Sequence, residues 1–347
     1  MKNVSFTPAR RAVVLASIFL FLLAGASRRL QGQTFCHTVP GPGAIGALDG
    51  SANFGNAPGG PHFIRIYVHV VRRSDGTGGQ TPEQVREALS FLDRDFNPHN
   101  IFFVQDCETD YIDNDFFYNS MGTDEIFLWN AHDDGIDIYL FRDQVPGELG
   151  GHGKADGIGA GSFYIFGNFW QEPYGPLVRS YAMSHEMAHC LGLYHTHEAL
   201  ACREFVDLSN CSSCGDYVCD TPADACICFE NYPPDCNWDR LLYDSNGDRY
   251  DPDVHNIMGY THLDCMEYFS EGQAERIRQA IAVSPVLQAC VAAPDFPGYF
   301  ANLNSTWTVD NTPNNGDFLI EGDLVINWDV TLTIEAGVTV HFGEQSR

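Results

Sequence analysis

The stretch 184–195 reads Ser-His-Glu-Met-Ala-His-Cys-Leu-Gly-Leu-Tyr-His and spaces three histidines so that they can bind one metal ion. On an α-helix, His185 and His189 are four residues apart, so their imidazoles project from the same face. Gly192 can adopt a left-handed conformation that ends the helix and turns His195 back toward the same ion. Three neutral imidazoles and one open position are typical of a catalytic zinc centre.

The length of this pattern gives it its specificity. His-Glu-x-x-His alone is short enough to occur by chance in a helix, with Glu186 as an ordinary helix former beside solvated histidines. The extended pattern His-Glu-x-x-His-x-x-Gly-x-x-His has more constrained positions, and all of them agree with one geometry. We therefore predict that His185, His189 and His195 bind zinc.

Charge and length limit the classes of function. The 347 residues suffice for a sizeable core and a second module. A formal net charge of -27 opposes binding to nucleic acid or to an anionic membrane surface. We therefore expect no nucleic-acid partner.

Residues 1–26 have the organisation of a secretory signal peptide. Lys2, Arg10 and Arg11 precede an apolar run of 15 residues that ends in Ala-Gly-Ala. The run is short for a membrane span, and no later stretch comes near 18 apolar residues. A membrane anchor is the alternative to the predicted secreted, extracellular localisation.

Twelve cysteines in an exported chain indicate up to six disulfides rather than reduced thiols. Eight of them crowd into the region that begins at the metal helix, which is therefore expected to be rich in loops: Cys190, Cys202, Cys211, Cys214, Cys219, Cys226, Cys228 and Cys236. Because Cys190 follows His189 by about 100° around the helix, it should face away from the metal and join a disulfide.

Residues 27–59, rich in Gly, Pro and Ala, are expected to be a pro-segment or linker. Cys36 lies within them. Its thiolate could occupy the open zinc position and keep the protein latent, or it could form a disulfide; both readings stay open.

The elements that must position the metal helix follow in residues 60–292, the predicted catalytic domain. From His62 an alternation of apolar residues predicts a half-buried strand, in which His69 is expected to be structural. Capping boxes at Thr81 and Ser270, with Gln84 and Gln273 three residues later, predict helices. Further strands are predicted at Ile101 to Gln105, Ile136 to Phe141 and Gly157 to Phe166.

A strand, a helix and further strands before the metal helix predict an α+β fold with the helix packed beneath a twisted sheet. Within the last strand, the glycine-rich segment 157–162 allows two readings. It is either an edge strand open to an extended peptide or a bulge or turn.

Two segments beyond the metal helix carry further candidates. Asp216 and Asp220, with nearby carbonyls, could hold calcium. Asn256-Ile257-Met258-Gly259-Tyr260 begins 61 residues after His195. Met258 can pack as an apolar floor under the imidazoles, and the Tyr260 hydroxyl can point at a metal-bound substrate.

These segments together resemble the metzincin zinc endopeptidases, and among them the pappalysin (cytophagalysin-like) family. The resemblance covers roughly residues 60–290 and rests on His185 to Thr196, the segment Gly-Asp-x-Val-x-Asp-Thr-Pro from Gly215, Asn256 to Tyr260, and Cys265 with Phe269, Gln273 and Arg276. The chain departs from the family at Cys190, where a bulky residue is common, and at His197, where an aromatic residue is usual.

The resemblance implies a metzincin-type zincin fold with a loop-rich, disulfide-bonded lower subdomain. It implies zinc on His185, His189 and His195, Glu186 as general base, Met258 as the Met-turn, and Tyr260 as a stabiliser of the transition state. Gly192, which can end the metal helix, is expected to be a structural residue. The resemblance further implies calcium near Asp216, Asp220 and Thr221, and disulfides joining Cys265 to Cys226 or Cys228 and Cys236 to Cys211 or Cys214.

Residues 293–347 change to short β-type runs punctuated by Gly and Asp. They resemble the opening turns of a right-handed β-helix. Because one or two coils cannot bury a continuous core, the segment is expected to be a truncated module or a cap on the preceding domain.

The leading hypothesis is a secreted zinc endopeptidase that hydrolyses protein or peptide substrates through a zinc-activated water. The alternative is a catalytically silent protein of the same fold that serves binding or adhesion. Retention of Glu186 favours the enzyme, because a silent scaffold needs no base at that position.

Overall fold

The computed structural model describes residues 36, 38–40, 45–46, 48, 62–105, 108–120, 122–142, 153–166, 181–225, 236–261, 263–292, 299–301, 305–310, 313–320, 324–326 and 331–342. The expected signal peptide (1–26) and most of the expected pro-segment (27–59) lie outside these ranges, as do Cys226 and Cys228.

The first eleven described helices and strands are β1 (His62–Arg72), α1 (Pro82–Phe96), β2 (Ile101–Gln105), β3 (Asp110–Asp113), α2 (Asp115–Ser120), β4 (Ile136–Leu140), β5 (Gly153–Ala155), β6 (Ser162–Ile165), α3 (Met183–Cys190), α4 (Glu271–Val283) and α5 (Pro285–Cys290). Those of the C-terminal segment are β7 (Tyr299–Ala301), β8 (Ser305–Trp307), α6 (Pro313–Gly316), β9 (Asp317–Ile320), β10 (Leu324–Ile326), β11 (Leu332–Ile334) and β12 (Thr339–Phe342).

The larger sheet is mixed, with the strand order β2-β1-β4-β6-β5, and β3 pairs with the far half of β1. All of its pairings are parallel except that of β5 with β6. β5 therefore forms one edge of the sheet and runs against its neighbour.

Alternation along the strands divides the core into two layers. One face of the sheet packs against α1, α3 and α4 and includes Ile64, Ile66 and Val68 of β1. The opposite face carries a mostly aromatic cluster with Tyr139 and Tyr164. The helix α3 therefore lies on the first face, and β1, predicted to be half-buried, is buried on both faces from Val68 to Val71.

Both capping boxes are confirmed. Thr81 accepts a hydrogen bond from the Gln84 amide and caps α1, and Ser270 does the same with Gln273 at α4. In each case the side-chain oxygen of the glutamine accepts a hydrogen bond from the backbone N–H of the capping residue. Two backbone N–H groups at the start of each helix are therefore paired.

The glycine-rich segment 157–162 is the turn between β5 and β6, not an edge strand. Gly157 and Gly159 have φ values of 153° and 76°, which suit glycine in a turn. The strand predicted for 157–166 therefore begins only at Ser162, and Gly153–Ala155 forms the edge of the sheet instead.

The disulfide pairing differs from the one the resemblance implies. Cys236 pairs with Cys265. Cys211 and Cys214 pair instead with Cys219 and Cys202, and the Cα atoms of these pairs lie 5.0 and 4.9 Å apart. The tight turns of 202–219 bring these four cysteines within bonding reach of one another and leave none of them for Cys236.

Cys190, expected in a disulfide, is a free buried thiol. Its sulfur approaches the carbonyl of Ser162 at 3.3 Å, so the core under β6 accommodates it as a small apolar residue.

In the C-terminal segment, each early strand pairs in parallel with a later one. Tyr299 is in register with Leu324, Ser305 with Leu332 and Asp317 with Thr339. This stacking of one chain turn on the next is the arrangement that a β-helix requires.

No helix among the described residues is long and apolar enough to cross a membrane.

Candidate functional site

The helix α3 that carries the motif is buried along its whole length. Its first turn is tied to α1, because the Ser184 hydroxyl donates a hydrogen bond of 2.5 Å to the Asp95 carboxylate. Met183 and Met187 belong to the core cluster under the sheet. The histidine face is therefore held in place from both sides.

The helix ends where the sequence predicts. Gly192 has a φ of +95°, and its amide bonds the His189 carbonyl at 3.0 Å. A Cβ at this position would lie 2.8 Å from the Cβ of Ala280, so both conformation and space require glycine. The turned chain brings His195 to the helix, where the Thr196 amide bonds the Met258 carbonyl at 3.1 Å.

Three histidine nitrogens converge at one point. His189 Nε2 lies 3.1 Å from His185 Nε2 and 3.0 Å from His195 Nε2. Nitrogens that each lie about 2.0–2.1 Å from one zinc ion in tetrahedral geometry are about 3.3 Å apart. The histidines therefore fit a single ion of this size.

The other ring nitrogens set which atom faces the ion. His185 Nδ1 lies 2.7 Å from the Ile257 carbonyl, and His189 Nδ1 lies 2.9 Å from the Leu193 carbonyl. Because a carbonyl only accepts, each Nδ1 carries the proton and each Nε2 presents a lone pair. Burial lowers the pKa of both rings, that of His189 to about 4, which keeps them in the neutral form that binds metal.

Cys36 lies beside the same three nitrogens. Its sulfur is 3.5 Å from His189 Nε2, and the four candidate ligand atoms all lie within 4.8 Å of one another. Cys36 forms a bridge in parallel with Gly153 of the edge strand. Burial and the nearby Glu186 raise the pKa of the thiol in this structure.

Glu186 is fully buried next to the histidines. One carboxylate oxygen accepts hydrogen bonds from the Thr38 hydroxyl at 2.8 Å and the Ala155 amide at 2.9 Å. The other, Oε1, has no hydrogen-bond partner among the described residues. Burial raises the pKa of this carboxyl to about 8, while hydrogen bonds from Thr38, Cys36 and Ala155 act to lower it.

Met258 and Tyr260 belong to the same core cluster as Met183 and Met187 of α3. Met258 is fully buried in the core cluster. The Tyr260 hydroxyl donates to the Cys36 carbonyl at 3.2 Å, and its ring lies 4.6 Å from that of His195. His197, where the family usually has an aromatic residue, stacks on His195 with the ring planes 14° apart.

The structure does not gather Asp216, Asp220 and Thr221 around one point. The Asp220 oxygens accept hydrogen bonds from Ser270 and the Gly272 amide at the start of α4, each at 2.7 Å. The Thr221 hydroxyl bonds the buried Asp216 carboxylate at 3.0 Å.

Two acids that the sequence did not single out lie near Asp216. Burial raises the pKa of Glu204 to about 8, with additional repulsion from Asp216 and Asp224. Both Glu204 carboxylate oxygens are buried without a hydrogen-bond partner among the described residues.

Sequence reasoning also missed the groups that orient the motif. The Ile257 and Leu193 carbonyls act through the backbone, so no residue type reveals them. Gly153 carries a weak signal as a glycine. A Cβ there would lie 2.5 Å from Glu186 Cγ, so Glu186 and the edge strand touch.

Comparison with known proteins agrees with this geometry. Residues 167–282 match the peptidase M43 family, described as pregnancy-associated plasma protein-A. An extracellular metalloprotease of Coccidioides posadasii is 26% identical over 76% of this chain and 94% of its own length. One of Neurospora crassa is 27% identical over 62% of this chain and 73% of its own length.

Solved structures similar to this one include a promirolysin mutant from Tannerella forsythia. It has a TM-score of 0.45 and 19% identity, and the match covers 68% of this chain and 85% of the other. Mature mirolysin in complex with a cleaved peptide has a TM-score of 0.42 and 18% identity, over 67% of this chain and 96% of the other.

The matched family region spans the histidine motif, the Met-turn and most of α4, and both fungal relatives are named as metalloproteases. Residues 167–282 therefore match the pappalysin family, the M43 peptidases, and the chain is a zinc metalloprotease with an α+β fold.

Proposed function

We propose that this protein is a secreted zinc endopeptidase in which His185, His189 and His195 hold the zinc. The observation that carries the proposal is the convergence of three buried Nε2 atoms, two of them with Nδ1 committed to a backbone carbonyl. Lone pairs brought to 3.0–3.1 Å repel one another unless a cation lies between them.

Glu186 is proposed as the general base. When bound, zinc supplies a Lewis acid that activates water and polarises a peptide carbonyl. The partnerless Oε1 of Glu186 is available to take the proton of the attacking water and deliver it to the leaving amine. Its other oxygen is held by the Ala155 amide, which fixes the carboxylate against the edge strand.

The edge strand β5 is proposed to bind the substrate. Cys36 already forms a bridge with Gly153, and its carbonyl accepts a hydrogen bond from Tyr260. A peptide in the same place would put its scissile carbonyl within reach of that hydroxyl. Tyr260 would then donate a hydrogen bond to the oxygen as negative charge develops on it.

Cys36 is proposed to keep the uncleaved chain latent. Its sulfur lies within 4.8 Å of the three Nε2 atoms. The Thr38 hydroxyl donates a hydrogen bond to Glu186 Oε2. A cation at this point would favour the thiolate over the thiol, because thiols that coordinate a metal lose their proton. The segment thus covers both the metal position and the base.

The comparisons support the extracellular setting, because the fungal relatives are named extracellular metalloproteases, and the disulfides require an oxidising compartment. The alternative of a silent binding protein is disfavoured by Glu186, whose buried free oxygen would be costly without a catalytic role.

Calcium is proposed at Glu204, Asp216 and Asp224 rather than at Asp220. The Asp220 carboxylate accepts hydrogen bonds from the first turn of α4, whereas both Glu204 oxygens lack a hydrogen-bond partner within the described part of the chain. Three carboxylates of the same sign in a buried place repel one another, and a hard dication that prefers oxygen ligands removes that repulsion.

Glu186→Ala is expected to keep zinc and to lower kcat/KM on a mixed peptide library by about 10²–10⁴-fold, because proton transfer is lost while the ligands remain. Zinc content and chelator-sensitive cleavage are measured together. Glu267→Ala, at an exposed carboxylate, serves as the control and should cleave normally. Cleavage by the Glu186 variant at the wild-type rate would sink the assignment.

Gly153→Ala is expected to lower kcat/KM by about ten- to a hundredfold with zinc retained, because the added methyl group displaces Glu186. The matched control is Gly161→Ala, where the nearest atom to an added Cβ, Val286 Cγ1, lies 3.8 Å away. Equal activity in the two variants would contradict the contact between strand and base.

Cys36→Ser is expected to give an uncleaved chain that already hydrolyses peptides, because a serine hydroxyl binds zinc more weakly than a thiolate. Cleavage is compared for intact chains, with their length checked by mass spectrometry. Cys290→Ser, at another buried free thiol, is the control and should stay latent. A latent Cys36→Ser chain would refute the blocking role.

Calcium is expected to raise the Tm of the wild-type chain by several degrees at constant zinc, and Glu204→Gln should abolish this response. Asp220→Asn should keep it, because that carboxylate is bound by α4. A response lost in Asp220→Asn and kept in Glu204→Gln would return the site to the ligands first predicted.

A further inference from the structure

A second cluster of metal-binding groups lies on the opposite face of the sheet from the zinc helix. Tyr67 of β1 is in register with Asp137 of β4, and His69 with Tyr139. Because side chains alternate along a strand, these four residues share the face that carries the aromatic cluster. His132, in the loop before β4, joins them there.

Two imidazoles of this cluster point at one carboxylate oxygen. Asp137 Oδ1 lies 2.9 Å from His69 Nε2 and 2.7 Å from His132 Nδ1. The three atoms lie within 4.8 Å of one another, and the side chains of His69 and Asp137 are 0% and 2% exposed. A histidine held only for structure needs one such partner, whereas a metal needs several ligand atoms that converge.

The atoms that face away from this point are held by other groups. His69 Nδ1 lies 3.0 Å from Asp110 Oδ2, which also accepts a bond from Asn130 at 2.6 Å. Asp137 Oδ2 accepts the backbone amide of His132 at 2.9 Å. A carboxylate behind a histidine, with that carboxylate itself hydrogen-bonded, is the usual arrangement around protein metal ligands.

Stacking fixes the orientation of both rings. The His132 ring lies on Tyr67 with centroids 3.5 Å apart and planes at 8°. The His69 ring lies on Tyr139 with centroids 4.6 Å apart. The stacking holds the plane of each ring, and the bond of His69 Nδ1 to Asp110 selects the edge of that ring that faces Asp137, so the ligand set is preorganised.

A cavity of about 290 Å³ adjoins the two histidines. It is lined by Tyr67, Val68, His69, Glu108, Asp110, Asn130 and His132. The cavity gives water or a small ligand access to the histidine side of the cluster, so three protein ligands need not complete the coordination alone.

We propose that His69, His132 and Asp137 bind a second metal ion, a first-row transition-metal dication such as zinc. Two imidazoles with one carboxylate suit this class, whereas calcium and magnesium take oxygen ligands. The ion joins the loop at His132 to β1 and β4. The sheet separates it from His185, His189 and His195, so its role is to stabilise this face and not to take part in hydrolysis.

The test counts zinc in the full-length chain. After removal of metal by chelation and dialysis against zinc, the wild-type chain is expected to hold two equivalents by mass spectrometry of the elements. His132→Ala should hold one, His189→Ala should hold one, and the double variant should hold none. His341→Ala is the matched control, because that exposed histidine lies in the C-terminal segment, where its Nε2 is 2.7 Å from Asp317, and it should leave two equivalents.

The outcomes separate this site from the catalytic one. If His132→Ala keeps as much zinc as the wild-type chain while His189→Ala loses its equivalent, the second site is refuted and the catalytic ligands stand. In the His189→Ala background, added zinc should raise Tm, and His132→Ala should remove that rise. This second readout covers the case in which a variant folds poorly, and an unchanged rise would also overturn the proposal.

Discussion

The structure depends on the need to keep three imidazole lone pairs facing one point inside a buried core. Nitrogens at 3.0–3.1 Å without a cation between them repel one another, so each ring must be held from behind. The Ile257 and Leu193 carbonyls do this for His185 and His189, and they lie on the Met-turn and on the turn after Gly192. Both turns therefore help the helix to orient the histidine rings toward one point.

The edge strand β5 connects this centre to the groups that occupy it. Gly153 is close enough to Glu186 that no side chain fits between them, and the Ala155 amide holds one of the carboxylate oxygens. Cys36 and Thr38 lie along the same strand and contact His189 and Glu186 respectively. A single backbone element thus positions the proposed base, the proposed substrate and the proposed inhibitory segment.

The two faces of the sheet use histidine in different ways. On the inner face the rings are held by backbone carbonyls, which leave neutral imidazole as the ligand. On the outer face His69 and His132 are held by carboxylates and by stacking on tyrosines. The alternating pattern of the strand predicts only a structural role for His69, because the pattern shows the face and the burial of a residue. It does not reveal Asp137, which contacts His69 and lies 68 residues away in sequence.

The sequence by itself determined the local features. The spacing of His185 and His189, the glycine that ends the helix and the capping boxes at Thr81 and Ser270 follow from interactions within a few residues, which spacing records directly. The tertiary structure alone decided which distant groups meet. It placed the Ile257 carbonyl behind His185, committed Asp220 to α4 and paired Cys236 with Cys265. Those contacts depend on how loops cross in space, and neither a backbone carbonyl nor a cysteine identifies its partner by its residue type.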